Sequence, residues 1–331
     1  MATIRDVAQR AGVSTATVSR VLANHPHVRP DVRARVLEAV RALEYQPNQA
    51  ARTLRSQQSN TIALIVSDIR NPFFTAISRA VEDTAYLHGY RVLLCNTDED
   101  PTKEELYLDL MRAERVAGVI LSPTRRSSTQ REPLALDFPL VAIDRPLRNG
   151  AVDAVLLDNV AAARALTEHL LEQGYTRIGG IFGESSTTGR ERRRGYEEAL
   201  RAAGHTPAGD LVRVVAPRTE AGQRAALELL RLNQPPDALV TSNSLLLAGA
   251  LQAIRACSLR LPQQIGLVGF DDTDWAALVE PAITVLAQPT DEIGRTATEL
   301  LLQRIAEPER PARTVILQGQ LRVRGSSLRR G

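Results

Sequence analysis

A chain of 331 residues, 44% hydrophobic and 24% charged, is long enough for more than one domain and a sizeable core. No run of 18 or more apolar residues occurs, and the N-terminus MATIRDVAQRAG is charged where a signal peptide needs an apolar run, so no membrane span and a cytoplasmic location are expected. The net charge is +3, yet residues 1–58 hold nine arginines against four acids, so a basic head suited to a polyanion precedes a slightly acidic body.

Ile4, Val7, Ala8 and Ala11 follow the i, i+3, i+4, i+7 spacing of one helical face. Gly12 stands where that helix ends, and Ser14 can cap the next one. In that second helix Val18, Val21 and Leu22 point inward, which leaves Thr15, Ala16, Ser19 and Arg20 outward. Pro30-Asp31 opens a third helix carrying Val32, Val36, Leu37, Val40 and Leu43. Helix, tight glycine turn, helix and supporting helix make a helix-turn-helix layout. An outward face of small residues suits a helix that must enter a major groove about 12 Å wide. Hydroxyls can bond phosphates or base edges, alanine can touch a thymine methyl, and one arginine can read guanine.

The stretch YQPNQAARTLRSQQSNT, from Tyr45 to Thr61, breaks the third helix at Pro47-Asn48. Gln49 to Arg55 reads as a helix of about two turns, too short to be stable alone in water. Leu54, flanked by Arg52 and Arg55, is either a minor-groove wedge or an apolar contact to the body or to a partner chain.

From Thr61 onward apolar runs alternate with helical segments: 62–66, 91–95, 118–121, 140–143, 154–157, 177–182, 238–241, 265–270 and 284–287. This is the α/β pattern with parallel sheets, and so many units favour two sheets over one. Ligands of open sheets bind at the carboxyl ends of strands. Asn71, Phe73-Phe74, Asp144-Arg145, Asn243, Asp271 and Gln288 follow such ends. Singly, each has a plainer reading: the phenylalanines as core, the aspartates as helix caps. Cys95 and Cys257, without metal-ligand spacing, are expected to be buried thiols. The sequence has no phosphate loop, HExxH, GxSxG or GxGxxG after the first strand. None of His25, His27, His88, His169 and His205 has an evident nucleophile partner, so no enzyme, cofactor or metal is expected.

The segments TIRDVAQRAGVSTATVSRVL, VRPDVRARVLEAV and YQPNQAARTLRS resemble the lactose/galactose repressor (LacI/GalR) family of bacterial transcription regulators, and the resemblance extends over essentially the whole chain. The body is similar to ribose-type periplasmic sugar-binding proteins at NPFF (71–74), IDR (143–145), RERRRGY (190–196), SN (242–243), GFDD (269–272) and AQPTDEIG (287–294). The resemblance implies an α/β chain with a three-helix helix-turn-helix head at 1–46 and a hinge helix and linker at 47–60. A periplasmic-binding-protein-like core with parallel sheets would follow at 61–331. Its N-subdomain would span about 61–158 and 289–318, and its C-subdomain about 159–288 and 319–331.

For DNA, the resemblance implies base contacts from Thr15, Ala16 and Arg20, with Ser14, Thr17 and His27 near phosphates. Ala51, Leu54 and Arg55 would act in the hinge, with Leu54 wedged into the minor groove of a near-palindromic operator. For the effector it implies a sugar held by Asn71, Asp144, Arg145, Arg192, Asn243, Asp271 and Gln288, its ring sandwiched by Phe73 and Phe74. Pro217 departs from the pattern where another pocket aromatic is often found, and Ser244 replaces the acid that commonly follows the asparagine. Arg190, Arg193 and Arg194 are expected to face solvent, because successive helix positions cannot all face one pocket. Trp275 suits either the pocket rim or a subunit contact. The expected protein is a sugar-controlled repressor on double-stranded DNA. The rivals are a constitutive DNA binder whose body only dimerises and a sugar-processing enzyme with a DNA-binding head. A homodimer is expected, since palindromic half-sites need two heads and the chain stops at RVRGSSLRRG, where the family's tetramerising helix would follow.

Overall fold

The computed structural model describes residues 2–22, 27–45, 59–130, 137–148, 152–184 and 187–329. The chain divides into two compact units between Ser59 and Asn60. The expected hinge helix, with Ala51, Leu54 and Arg55, lies outside the described residues.

In the first unit α1 (Ile4–Ala11) starts on a capping box, in which Thr3 and Asp6 each bond the other's backbone N–H. It ends at Gly12, whose φ of 64° is the left-handed conformation that favours glycine. Its N–H bonds the last carbonyls of α1. In α2 (Thr15–Leu22) the Thr17 N–H donates to Ser14 Oγ, as a cap should. α3 (Pro30–Ala42) opens on proline. Val7, Ala8, Ala11, Val18, Val21, Val36 and Ala39 form the core, with Leu22, Val40 and Leu43 packed around it. Leu37, grouped with the apolar positions of α3, is instead 41% exposed; the face it shares with Glu38 turns outward, and Ala39 goes in.

The second unit holds two six-stranded sheets. The first has order β11-β5-β4-β3-β1-β2, with β1 (Thr61–Val66), β2 (Arg91–Asn96), β3 (Gly118–Leu121), β4 (Leu140–Ile143), β5 (Asp153–Leu157) and β11 (Thr314–Leu317), all parallel. Around it lie α4 (Pro72–Leu87), α5 (Pro101–Ala113) and α6 (Arg125–Thr129). The second has order β12-β10-β9-β8-β6-β7, with β6 (Ile178–Gly183), β7 (Val212–Val215), β8 (Ala238–Thr241), β9 (Gly266–Phe270), β10 (Thr284–Ala287) and β12 (Gln320–Arg322). It is parallel except at its edge, where β12 runs antiparallel to β10. α7 (Asn159–Glu172), α8 (Thr187–Ala202), α9 (Thr219–Leu230), α10 (Ser244–Ala256) and α11 (Asp274–Leu278) belong to this half.

Each sheet is covered on both faces, so its central strands are buried throughout. The chain passes between the halves after β5, after β10 and between β11 and β12. On the second of these passages α12 (Thr290–Ala306) returns to the first half and packs on α4. Gly294 permits the contact, since a Cβ there would sit 2.6 Å from Ala80 Cβ. Cys95 is buried as expected, but Cys257 is exposed, because it caps the end of α10 rather than continuing the buried face.

Candidate functional site

On the head, Ser14, Thr15, Ala16 and Arg20 are exposed, and Thr17 and Ser19 are half-buried. Ser14 Oγ and Thr17 Oγ1 lie 3.0 Å apart, so these hydroxyls order one another at the start of α2. His27 is exposed before α3. The face is one long cation among small polar groups, as a groove-reading helix requires.

In the second unit all nine expected effector positions line one cavity of about 160 Å³. They reach it from the ends of strands in both sheets. Asn71 caps α4 after β1 and holds Phe73 N–H at 3.1 Å. Asp144-Arg145 follow β4, Asn243 caps α10 after β8, Asp271 follows β9 and Gln288 follows β10. Arg192 comes from inside α8. Asp144 and Asp271 both have positive φ, 65° and 74°, at matching places in the two halves. Such backbone is uncommon outside glycine and concentrates at functional sites.

The two buried arginines are held differently. Arg145 donates from Nε to Asp144 Oδ2 at 3.0 Å and from Nη1 to Glu99 Oε2 and the Pro123 carbonyl, each at 3.0 Å. Its Nη2 meets the other oxygen of Glu99. Burial works against its charge, but Asp144 and Glu99 more than offset this and hold it above its ordinary range. Arg192 donates from Nε to Asn159 Oδ1 at 2.8 Å and from Nη1 to the Ser242 carbonyl, and lies 3.9 Å over the Phe270 ring. Burial pulls its pKa down, and Asp271 and Asp144 offset only part of that. Burial likewise pushes the Asp144 carboxyl up, against the pull of Arg145 and Arg192.

Asp271 accepts from Ser244 N–H at 3.0 Å and from Gln288 Nε2 at 2.7 Å. Ser244 Oγ donates to Asn71 Oδ1 at 3.3 Å, so the residue that replaces the commoner acid ties one half of the cavity to the other. Arg190, Arg193 and Arg194 point outward, the last two toward Glu197 and Glu198.

The expected sandwich by Phe73 and Phe74 does not hold. Their centroids are 5.0 Å apart at 72°, an edge-to-face contact. Carbon contacts of about 3.5–4 Å on each face of a sugar ring would need roughly 7 Å between the two. Neighbours on the first turn of α4 cannot open that gap, so they offer one apolar wall. Pro217 also lines the cavity. Trp275 does not; it packs on the core of the second half and lines an adjoining apolar hollow of about 750 Å³ that shares Phe73, Asp271 and Gln288 with the cavity.

Sequence reasoning missed Ser67, Asp68, Arg70, Asp98, Glu99, Thr188 and Arg218 in the cavity wall. It also missed Asn159, which buttresses Arg192 and is itself held by Glu191 at 2.9 Å. Among the described residues no cluster of His, Cys, Asp and Glu could hold a metal ion, and no helix is long and apolar enough to cross a membrane.

Comparison with known proteins matches residues 3–48 to the bacterial regulatory proteins of the lacI family, and residues 167–327 to the periplasmic binding protein-like domain. The ribose operon repressor of Halalkalibacterium halodurans is 38% identical over 305 residues, 92% of this chain and 91% of that one. The chain belongs to the lacI family. Among solved structures, this lacI-family regulator is similar to the transcriptional regulator CelR–cellobiose complex, at 31% identity and TM-score 0.74, over 98% of this chain and 100% of that one. It also matches the lac repressor dimer bound to operator and the anti-inducer ONPF, at 25% identity and TM-score 0.86, over 99% of each chain.

Proposed function

We propose that this regulator is a cytoplasmic repressor whose affinity for a near-palindromic operator is set by one monosaccharide-sized effector in the cavity. The observation that carries the reading is the single cavity lined by Asn71, Phe73, Phe74, Asp144, Arg145, Arg192, Asn243, Asp271 and Gln288, drawn from both halves. Its wall mixes donors and acceptors, the complement of hydroxyls, which do both. Among the described residues, Asn71 Nδ2, Asn243 Nδ2 and Arg192 Nη2 are donors without a protein acceptor, and Asp144 Oδ1 and Gln288 Oε1 are acceptors without a protein donor. An engineered cavity of about 150 Å³ holds one benzene ring, so a cavity of this size suits one sugar ring rather than two.

The head at 1–46 would read DNA through Thr15, Ala16 and Arg20, with Ser14, Thr17 and His27 on phosphates. Ala51, Leu54 and Arg55 in the linker at 47–60 would add further DNA contacts. The cavity would sit between an N-subdomain of 61–158 with 289–318 and a C-subdomain of 159–288 with 319–331. An effector touching both would favour one closure state, and a typical coupling of about 1–3 kcal/mol would change operator affinity roughly 5–150-fold. The related repressors support regulation by binding rather than turnover of the sugar.

A homodimer fits the edge of the first sheet. There β2 exposes Leu93 and Leu94, and Tyr86 and Leu87 at the end of α4 and Leu106 and Leu110 on α5 are exposed as well; Leu87 is 80% exposed. An apolar edge strand of this kind is costly to leave in water.

The test is operator binding by fluorescence anisotropy, with D-ribose, other pentoses and hexoses added, alongside thermal unfolding. A sugar binding only the folded chain stabilises by about 2.7 kcal/mol at a hundredfold excess over Kd. A sugar that shifts both unfolding and operator affinity supports the reading. Operator binding unmoved by every sugar gives way to the constitutive DNA binder. Arg20→Ala should relax preference at one base pair per half-site; an unchanged consensus from selected oligonucleotides removes that assignment.

A further inference from the structure

We infer that Glu99 is a specificity residue that keeps anionic sugars, the sugar acids and sugar phosphates, out of the cavity. The inference rests on the monosaccharide reading above and narrows it to neutral sugars.

A guanidinium binds carboxylate and phosphate through a planar fork of paired N–H groups. In Arg145 that fork is already filled from within the protein. Both oxygens of Glu99 accept from it, Nη1 at 3.0 Å and Nη2 on the other side, while Nε goes to Asp144. Only 5% of the Arg145 side chain is exposed, so solvent does not compete for it. Glu99 therefore stands where the acid group of an anionic ligand would dock.

Its position is built rather than incidental. Asp98 and Glu99, between β2 and α5, both take positive φ, 53° and 62°. The Glu99 N–H donates to the Ser67 carbonyl at 3.1 Å. Lys103 holds Asp98 at 2.6 Å, and Arg70 approaches it at 3.7 Å. A loop pinned on both sides aims the Glu99 carboxylate at Arg145, a residue 46 positions later in the chain.

No other arginine in the wall offers an anion an equal berth. Arg70 is paired with Asp68 at 2.9 Å. Arg218 is exposed at the mouth, where water and salt screen it. Arg192 has open N–H groups, but Asp271 and Asp144 share its surroundings. Asp68, Asp98, Glu99, Asp144 and Asp271 together outnumber the four arginines of the lining. A further anionic group would join five carboxyl groups against four guanidinium groups, and like charges brought together are strongly disfavoured at a desolvated interface. A hydroxyl carries no such penalty.

The experiment is calorimetric titration of the full-length chain, wild type and Glu99→Gln, with D-ribose, D-glucose, ribose 5-phosphate and D-gluconate. The wild type is expected to bind a neutral sugar and to reject its anionic counterpart. Glu99→Gln keeps the shape but removes the negative charge and one of the two acceptors, which opens one arm of the fork, so the ratio of anionic to neutral affinity should rise about tenfold or more. Glu99→Asn should shift the ratio the same way, and ligand-free unfolding shows whether each variant is folded. Tight wild-type binding of ribose 5-phosphate or D-gluconate overturns the inference, as does an unchanged ratio in folded variants. Wild-type binding of none of the four removes the monosaccharide reading and this inference with it.

Discussion

The two walls of the cavity solve the same problem in opposite ways. On the first-sheet side Arg145 is neutralised by two carboxylates and is part of the fabric of the fold. On the second-sheet side Arg192 is held by an amide, a backbone carbonyl and an aromatic face, with no ion pair among the described residues. Asp271 and Asp144 act on its charge without bonding it, and a hydroxyl that accepts from its open N–H groups would complete its hydrogen bonds. The difference teaches that one arginine is fully bound into the fold, whereas the other keeps N–H groups open to the cavity among the described residues.

Removing each partner should separate these roles. Arg145→Ala strands Glu99 and Asp144 and should lower unfolding free energy by about 3–5 kcal/mol, the usual result of breaking a buried ion pair. A loss below about 1 kcal/mol in urea would erase the contrast. Arg192→Ala should cost effector binding about 1.5–3 kcal/mol, the range for hydrogen bonds to charged groups. It should leave the Asp144–Arg145–Glu99 set in place, so ligand-induced stabilisation falls more than ligand-free stability does. Ser244→Ala removes the bond to Asn71 where the walls meet. It should cost about 0.5–1.5 kcal/mol, as one neutral hydrogen bond does, and appear as a shift in operator affinity without effector.

The smallest effect concerns pH. His169 is buried in the second half with Nε2 2.7 Å from Ser327 Oγ, and burial holds its pKa below the ordinary value. The folded state therefore keeps it neutral while the unfolded chain takes up a proton. Its contribution is complete above the unfolded pKa of about 6.5 and is lost as pH falls below it. His169→Asn should flatten the decline in unfolding temperature between pH 7 and 5; an unaltered slope would assign that decline to other groups.

Periodicity located the helices of the head and nine of the strands, because buried strands and amphipathic helices leave a local pattern. It missed β7 and β11, whose residues are only partly buried, and β12, which is three residues long. The strand-end positions of Asn71, Asp144, Asn243, Asp271 and Gln288 were legible because the α/β pattern itself says where ligands bind. Glu99 was not, since it lies in a polar loop and meets Arg145 only in the folded chain. Asn159 was hidden for the same reason: its partner Arg192 is 33 positions away. The failed aromatic sandwich has a different cause. Two adjacent bulky rings look like two platforms in a sequence, and only helix geometry shows that they touch.

The return of the chain to its first half through α12 and β11 sets an order on synthesis. Ile293, Ala297, Leu300 and Leu301 of α12 complete the apolar cluster around Ile77 and Val81. α12 begins at Thr290, while β5 ends at Leu157. A ribosome adding about 5–20 residues per second needs roughly 7 to 27 seconds to cover that interval. Throughout it the face of α4 near Ala80 stands uncovered, and all of the second half except its edge strand β12 is translated before the first can close. The half that emerges first thus stays unfinished until the second is almost complete, and the nascent chain has an interval of exposure in which chaperones would act.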